Sequence, residues 1–160
     1  MDYRGIGEEM YSVRLMKREI KSRETIDRFI GSSSTVRLGL ISEDEPYVVP
    51  LNFVYTDGTV YFHCAGEGRK FDALSTGTRI CLEFDVTHGI DVPGADTFYT
   101  SVIAWGNPRI LQDRSLKKRA LAMLTEKYLG EERRITDTMA DGTCIVSVKL
   151  DTVTGKENRG

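Results

Sequence analysis

The ten residues Tyr61–Lys70, YFHCAGEGRK, hold the densest concentration of reactive groups in the chain. A histidine and a cysteine end an apolar stretch. Two glycines, Gly66 and Gly68, bracket Glu67, and two cations, Arg69 and Lys70, follow at once. Glycines admit positive φ and let a ligand approach the backbone closely. Cations after such a turn, with the free N–H groups of a starting helix, suit an anion and above all a phosphate. The spacing G-x-x-x-x-G-K-[ST] of nucleotide hydrolases is absent, so this is not their phosphate loop. The same residues also make an ordinary solvated turn, and composition alone does not decide between the two.

Three further groups could meet a flat heterocycle. Val49, Pro50, Leu51 and Asn52 lie in the strand-like YVVPLNFVY. Pro50 cannot donate to a ladder there, which implies an edge, a bulge or a backbone that serves something else. Ser101 and Trp105 share the strand-like stretch YTSVIAWG. Trp105, the sole tryptophan, either stacks on a ring or fills the core. His63 ends a strand, where a histidine is either a satisfied structural residue or an acid–base group that changes charge near neutral pH.

Alternation and helical periodicity supply the elements that hold these groups. SRETIDRFIGSS reads as a short helix with Ile26, Phe29 and Ile30 on one face, Ser22 as N-cap and Gly31 at its end. TVRLGLIS, YVVPLNFVY and TVYFHCA read as three strands in a meander. A short helix after Gly68 ends at Gly77, and RICLEFDV is a fourth strand. Residues 87–96 are a loop, and TFYTSVIAWGNPRILQ is a long strand that bends at Gly106 and Pro108. DRSLKKRALAMLTEKYL is a helix capped by Asp113, and GTCIVSVKLDTV is the sixth strand. Residues 1–17 read as an N-terminal arm and 153–160 as a flexible tail. The expectation is one mainly β domain over residues 1–160, a small six-stranded antiparallel barrel, closed or split, with flanking helices.

The bulk numbers narrow the partners. At 160 residues, 40% hydrophobic and 29% charged, the chain has the composition of a soluble globular domain. A net charge of -2 gives no basic excess for nucleic acid or an anionic membrane. Cys64, Cys81 and Cys144 are odd in number, far apart in sequence and set in apolar contexts. They read as reduced, buried thiols in a cytoplasmic protein. Neither His63 nor His88 has metal-ligand spacing to them, so no zinc site is expected. The N-terminus has no apolar core of a signal peptide, and no run reaches the length of a membrane span.

The ordered set RLGLISEDEPYVVPLNFVYTDGTVYFHCAGEGRKFDAL, ICLEFDV and YTSVIAWG resembles the flavin-nucleotide-binding relatives of pyridoxamine 5'-phosphate oxidase, and within them the nitroimidazole-resistance branch. The likeness runs from about Arg18 to Leu150. It implies an FMN-binding split barrel, as a homodimer with FMN in the crevice between subunits. On that resemblance Val49 to Asn52 line the isoalloxazine and ribityl chain, His63 lies near the flavin and Arg69 and Lys70 take the phosphate. Ser101 faces the cofactor, and Gly68 and Trp105 complete the expected contact set. Thr100 stands where many relatives have arginine, and the C-terminal arginine/histidine motif of vitamin B6 oxidases is missing. The implied activity is FMN-dependent reduction of small electrophiles such as nitro compounds, with His63 as proton donor and an electron donor that binds transiently over the flavin. The alternatives are a protein that holds FMN or haem without turnover, and a barrel with no cofactor.

Overall fold

The computed structural model describes residues 16–131 and 133–160. It contains nine strands in two antiparallel sheets, flanked by four α-helices. The first sheet has the order β2-β1-β5-β6-β9, built from β1 (Val36–Ser42), β2 (Glu45–Leu51), β5 (Ile80–Asp91), β6 (Asp96–Gly106) and β9 (Thr152–Asn158). The second runs β3-β4-β8-β7, from β3 (Val54–Thr56), β4 (Thr59–Cys64), β7 (Pro108–Ile110) and β8 (Cys144–Lys149). Alternate residues of both sheets enter one core, with Leu38, Leu82, Phe84 and Val102 from the first meeting Val60, Phe62, Val146 and Val148 from the second. The architecture is a split barrel. The fold class expected from the sequence is the one observed.

The strand count is larger than expected because the chain twice changes sheets inside an apparently continuous run. Phe53 and Val54 are both buried. Consecutive residues of one strand point to opposite faces, so both are buried only where both faces are covered, as at Ile145 and Val146 of β8, or where the chain changes sheet. Here the chain leaves the first sheet after Leu51 and re-enters as β3 in the second. The expected three-strand meander is accordingly two hairpins, β1–β2 and β3–β4, in different sheets. The second switch falls at Asn107, between β6 and β7, where the glycine and proline signals placed a bend.

Residues 87–96 are mostly hairpin rather than loop. Strands β5 and β6 stay paired out to Asp91↔Asp96, with a bulge between Thr87 and Gly89, and only residues 92–95 turn. The expected flexible tail is also corrected, since residues 152–158 form β9, paired with β6 from Trp105↔Thr152 to Tyr99↔Asn158. Its sequence TVTGKEN hides the strand because the inward position is a glycine. A Cβ on Gly155 would stand 3.0 Å from Ile26 and 3.1 Å from Ile20, so the apolar atoms at that spot come from elsewhere in the chain. Of the expected arm, residues 1–15 lie outside the described residues, and Met16–Arg18 form a 3-10 turn.

Helix α1 (Arg23–Ser32) starts as expected, with Ser22 Oγ accepting from Thr25 N at 3.2 Å. It runs past Gly31 and ends at Ser33, whose N–H bonds the Phe29 and Ile30 carbonyls. Helix α2 (Arg69–Ser75) follows Gly68 directly. Helix α3 (Arg114–Leu129) begins under the Asp113 cap and stops at the left-handed Gly130, and α4 (Asp137–Asp141) precedes β8.

One side chain of α3 seals the first change of sheet. Tyr128 Oη accepts from Phe53 N at 2.9 Å and shares its proton between the Ser34 (2.7 Å) and Phe53 (3.0 Å) carbonyls. Removing a partner from backbone groups of this kind costs about 1–3 kcal/mol. Tyr128→Phe, which keeps the ring and deletes the hydroxyl, is expected to lose that much in a urea unfolding titration. An unchanged midpoint would show that water replaces the hydroxyl.

Candidate functional site

Strand β4 ends at Cys64, and the exposed residues 65–68 lead to α2. Gly68 takes φ 92°, a conformation that side chains disfavour, and a Cβ at Gly66 or Gly68 would meet nothing within 4 Å. The peptide surface of this turn is open.

The two cations after it do different things. Arg69 is committed. Its Nε donates to Ser42 Oγ at 3.1 Å, one Nη donates to Ser42 O at 3.3 Å, Glu45 lies 3.6 Å away and the guanidinium sits 4.8 Å over the Tyr47 ring. It clamps the end of the β1–β2 hairpin to α2. Lys70 is half-buried and has no carboxylate partner among the described residues. Its charge acts on the sulfur of Cys64, where it opposes the burial that pushes the thiol up to about 12. Lys70 thus presents an ammonium without a described acidic partner beside open backbone.

Strand β2 is an edge strand, as Pro50 requires. The side chains of Tyr47, Val49 and Leu51 pack against the core, while Pro46, Val48 and Pro50 face out. Proline fits an edge strand only where its missing N–H would point away from the partner. Pro46 and Pro50 therefore mark the outward set, and Val48 between them turns its N–H and C=O to the open edge. Of the expected run Val49 to Asn52, the side chains of Val49 and Leu51 belong to the core. What this strand offers a ligand is backbone from Pro46 to Pro50 and the exposed Asn52.

On the outer face of the first sheet, register sets Val48, Gly39, Cys81, Trp105 and Thr152 side by side across all five strands. Gly39 leaves a trough in that row. The resulting groove has a volume of about 1090 Å³, and Pro46, Ile41, Tyr47 and Trp105 are among its walls. Trp105 is half-buried on this face and stands outside the barrel core. Tyr47 lines this groove from β2, while its ring lies on the core side of the strand under the Arg69 guanidinium. Ser101 lies on the same face, opposite Asp85 and Lys156, four residues or about 13 Å along β6 from Trp105.

His63 is exposed and opposite Ile145 on β8, and alternation sends it to the other face of β4 from Cys64. Arg69 thus joins the turn to the β1–β2 hairpin, Trp105 stands on the outer face of the first sheet, and His63 projects from the face of β4 opposite to Cys64. Sequence reasoning missed Ser42, Tyr47, Gly39 and Cys81. Tyr47 was within reach, since it shares parity with Val49 and Leu51. Gly39 carried the usual signal of a glycine inside a strand.

A split barrel with an open, cation-bearing turn beside an exposed edge strand defines a class of small ligand-binding β proteins. The pyridoxamine 5'-phosphate oxidase family profile matches residues 22–157, and the chain belongs to that family. Among solved structures it is similar to a candidate 5-nitroimidazole antibiotic resistance protein from Bacteroides thetaiotaomicron, with 26% identity over 86% of this chain and 85% of that one and a TM-score of 0.79. It also superposes on the flavocytochrome Anf3 of Azotobacter vinelandii, with 19% identity over 96% and 75% of the two chains and a TM-score of 0.82. An FAD and haem binding protein of Mycobacterium smegmatis matches at 18% identity over 89% and 74%, TM-score 0.79. The last two show the fold alone. A comparison with curated proteins finds no match. No helix among the described residues is long and apolar enough to cross a membrane, and no described cluster of three or more His, Cys, Asp or Glu could hold a metal.

Proposed function

We propose that this protein binds FMN and reduces small electrophiles such as nitro compounds. The observation that carries the reading is Lys70, an ammonium without an acidic partner among the described residues, beside the open Gly66–Gly68 turn. The residues fit the group. Lys70 would take the phosphate and Arg69 would hold the hairpin that frames it. The outward N–H and C=O of Val48 match the hydrogen-bonding edge of an isoalloxazine, and Trp105 offers an apolar side chain to the groove. The bound flavin supplies two-electron redox chemistry, and the protein supplies binding, orientation and electrostatics.

The unit proposed is a homodimer. The outer face of the first sheet carries Ile41 (60% exposed), Val48 (63%) and Ile103 (38%) beside the groove. A two-fold contact would bury this patch against its own copy. Light scattering should then give about twice 18.0 kDa. A monomer that retains FMN would contradict the dimer.

His63 projects from the face of β4 opposite to Cys64, so His63→Ala is expected to change FMN affinity less than about twofold. Any part it takes as proton donor would appear instead in the rate of substrate reduction. Fluorescence titration and turnover, measured on the same variant, separate the two.

Activity is tested anaerobically. FMN-loaded protein, reduced photochemically, should be reoxidised by a nitroaromatic faster than the same concentration of free reduced FMN. Reoxidation no faster than that of free FMN would reduce the reading to binding alone.

A further inference from the structure

Cys64 is the last residue of β4 and Cys144 the first of β8, and the register sets them directly opposite one another. Leu150 N donates to Gly58 O at 2.9 Å, which makes 58/150 a hydrogen-bonded pair of this ladder. Counting by twos, Cys64/Cys144 is another. Such pairs hold their Cα atoms about 5.5 Å apart, within the range that disulfides favour. Both side chains share the core-facing side of the sheet with Phe62 and Val146, and their sulfurs stand 3.6 Å apart as free thiols. A disulfide needs about 2.0 Å. The missing approach falls at two strand ends, next to the exposed residues 65–68 on one side and Gly142 and Thr143 on the other. Cys81 takes no part, since it lies on the outer face of the other sheet.

We propose that Cys64 and Cys144 are a redox-active dithiol, which low-molecular-weight disulfides convert reversibly to an intramolecular disulfide at the root of the Ala65–Gly68 turn. Cys144, the more exposed thiol, reacts first. Its thiolate attacks one sulfur of the small disulfide RSSR and releases RS⁻, which takes up the proton Cys144 has lost. Cys64 then attacks the Cys144 sulfur of the mixed disulfide, gives its own proton to the departing RS⁻ and closes the ring. The protein loses two electrons and two protons, and RSSR becomes two RSH. Burial disfavours the Cys64 thiolate, which suits it to the second, intramolecular step rather than to the first. A dithiol at strand ends beside an exposed turn is of the labile kind that exchanges, in contrast to a structural bridge deep in a core. The proposal stands whether or not the turn binds a flavin.

The folded full-length chain is incubated with glutathione disulfide, its remaining thiols are alkylated, and intact and digested masses are measured. The expected result is the loss of two hydrogens, one alkylated thiol at Cys81, a Cys64–Cys144 linked peptide and full reversal by reduced glutathione. Cys81→Ser should behave the same, and Cys64→Ser should stop at a single glutathione on Cys144. Three alkylatable thiols in the treated wild-type chain, or adducts without a Cys64–Cys144 link, would overturn the proposal.

Discussion

Lys70→Ala is expected to weaken FMN binding roughly ten- to a hundredfold and to leave riboflavin binding unchanged. A hydrogen bond to a charged group contributes about 1.5–3 kcal/mol, and about 1.4 kcal/mol corresponds to a factor of ten. Half-burial keeps Lys70 from the full screening of a surface charge, and the absence of a described acidic partner means that no other pair is broken by the substitution. Riboflavin lacks the phosphate, so it reports everything except the contact in question. Arg69→Ala serves as the contrast. It strips the partner from the buried Ser42 hydroxyl and frees the Tyr47 ring, so it should lower the unfolding midpoint and weaken both ligands. Fluorescence quenching with FMN and riboflavin distinguishes these cases. Equal weakening of both ligands by Lys70→Ala would place the phosphate elsewhere.

The largest expected effect on stability is at Gly106. This residue ends β6 where the chain crosses to the second sheet, and a Cβ there would lie 2.3 Å from the Lys149 carbonyl oxygen and 2.9 Å from Val148 Cγ1. The nearest atom is backbone in a paired strand, so no side-chain rotation relieves the overlap. Overpacking of this kind costs about 1–3 kcal/mol and occasionally more. Gly106→Ala should fall at or above the top of that range, a large part of the roughly 5–15 kcal/mol of a typical domain. Gly31→Ala is the matched control. Its Cβ would meet nothing within 4 Å and it sits inside α1, so it should stabilise by about 0.5–1 kcal/mol. Urea unfolding of both variants tests the pair. A Gly106→Ala chain as stable as the parent would mean that the crossing is not packed as tightly as these distances require.

The fold class was legible because alternation survives in β1, β4 and β8, whose inner residues are large and apolar. Strand β9 was not, because its inward Gly155 receives Ile20 and Ile26 and so carries no hydrophobic signal of its own. The break between β2 and β3 lies just before the adjacent buried pair Phe53 and Val54, and such a pair does not by itself mark a break, since β8 buries Ile145 and Val146 together. The glycine turn and its two cations could be read because they are contiguous in sequence. The separate duties of Arg69 and Lys70 could not, since Ser42, Glu45 and Tyr47 reach Arg69 from another hairpin. The row from Val48 to Thr152 crosses five strands, and only the register reveals it. His63, two residues before the turn, projects from the face of β4 opposite to Cys64, because neighbouring residues of a strand face opposite ways.

The central claim is that this chain holds a flavin mononucleotide, and the ligand it carries answers that most directly. The purified protein, reconstituted with excess FMN if colourless, is stripped of unbound ligand, heated, and its supernatant analysed by mass spectrometry beside an absorption spectrum of the intact sample. One FMN per chain is the predicted result. A protein that ignores added FMN, or that yields haem or FAD alone, would contradict the account.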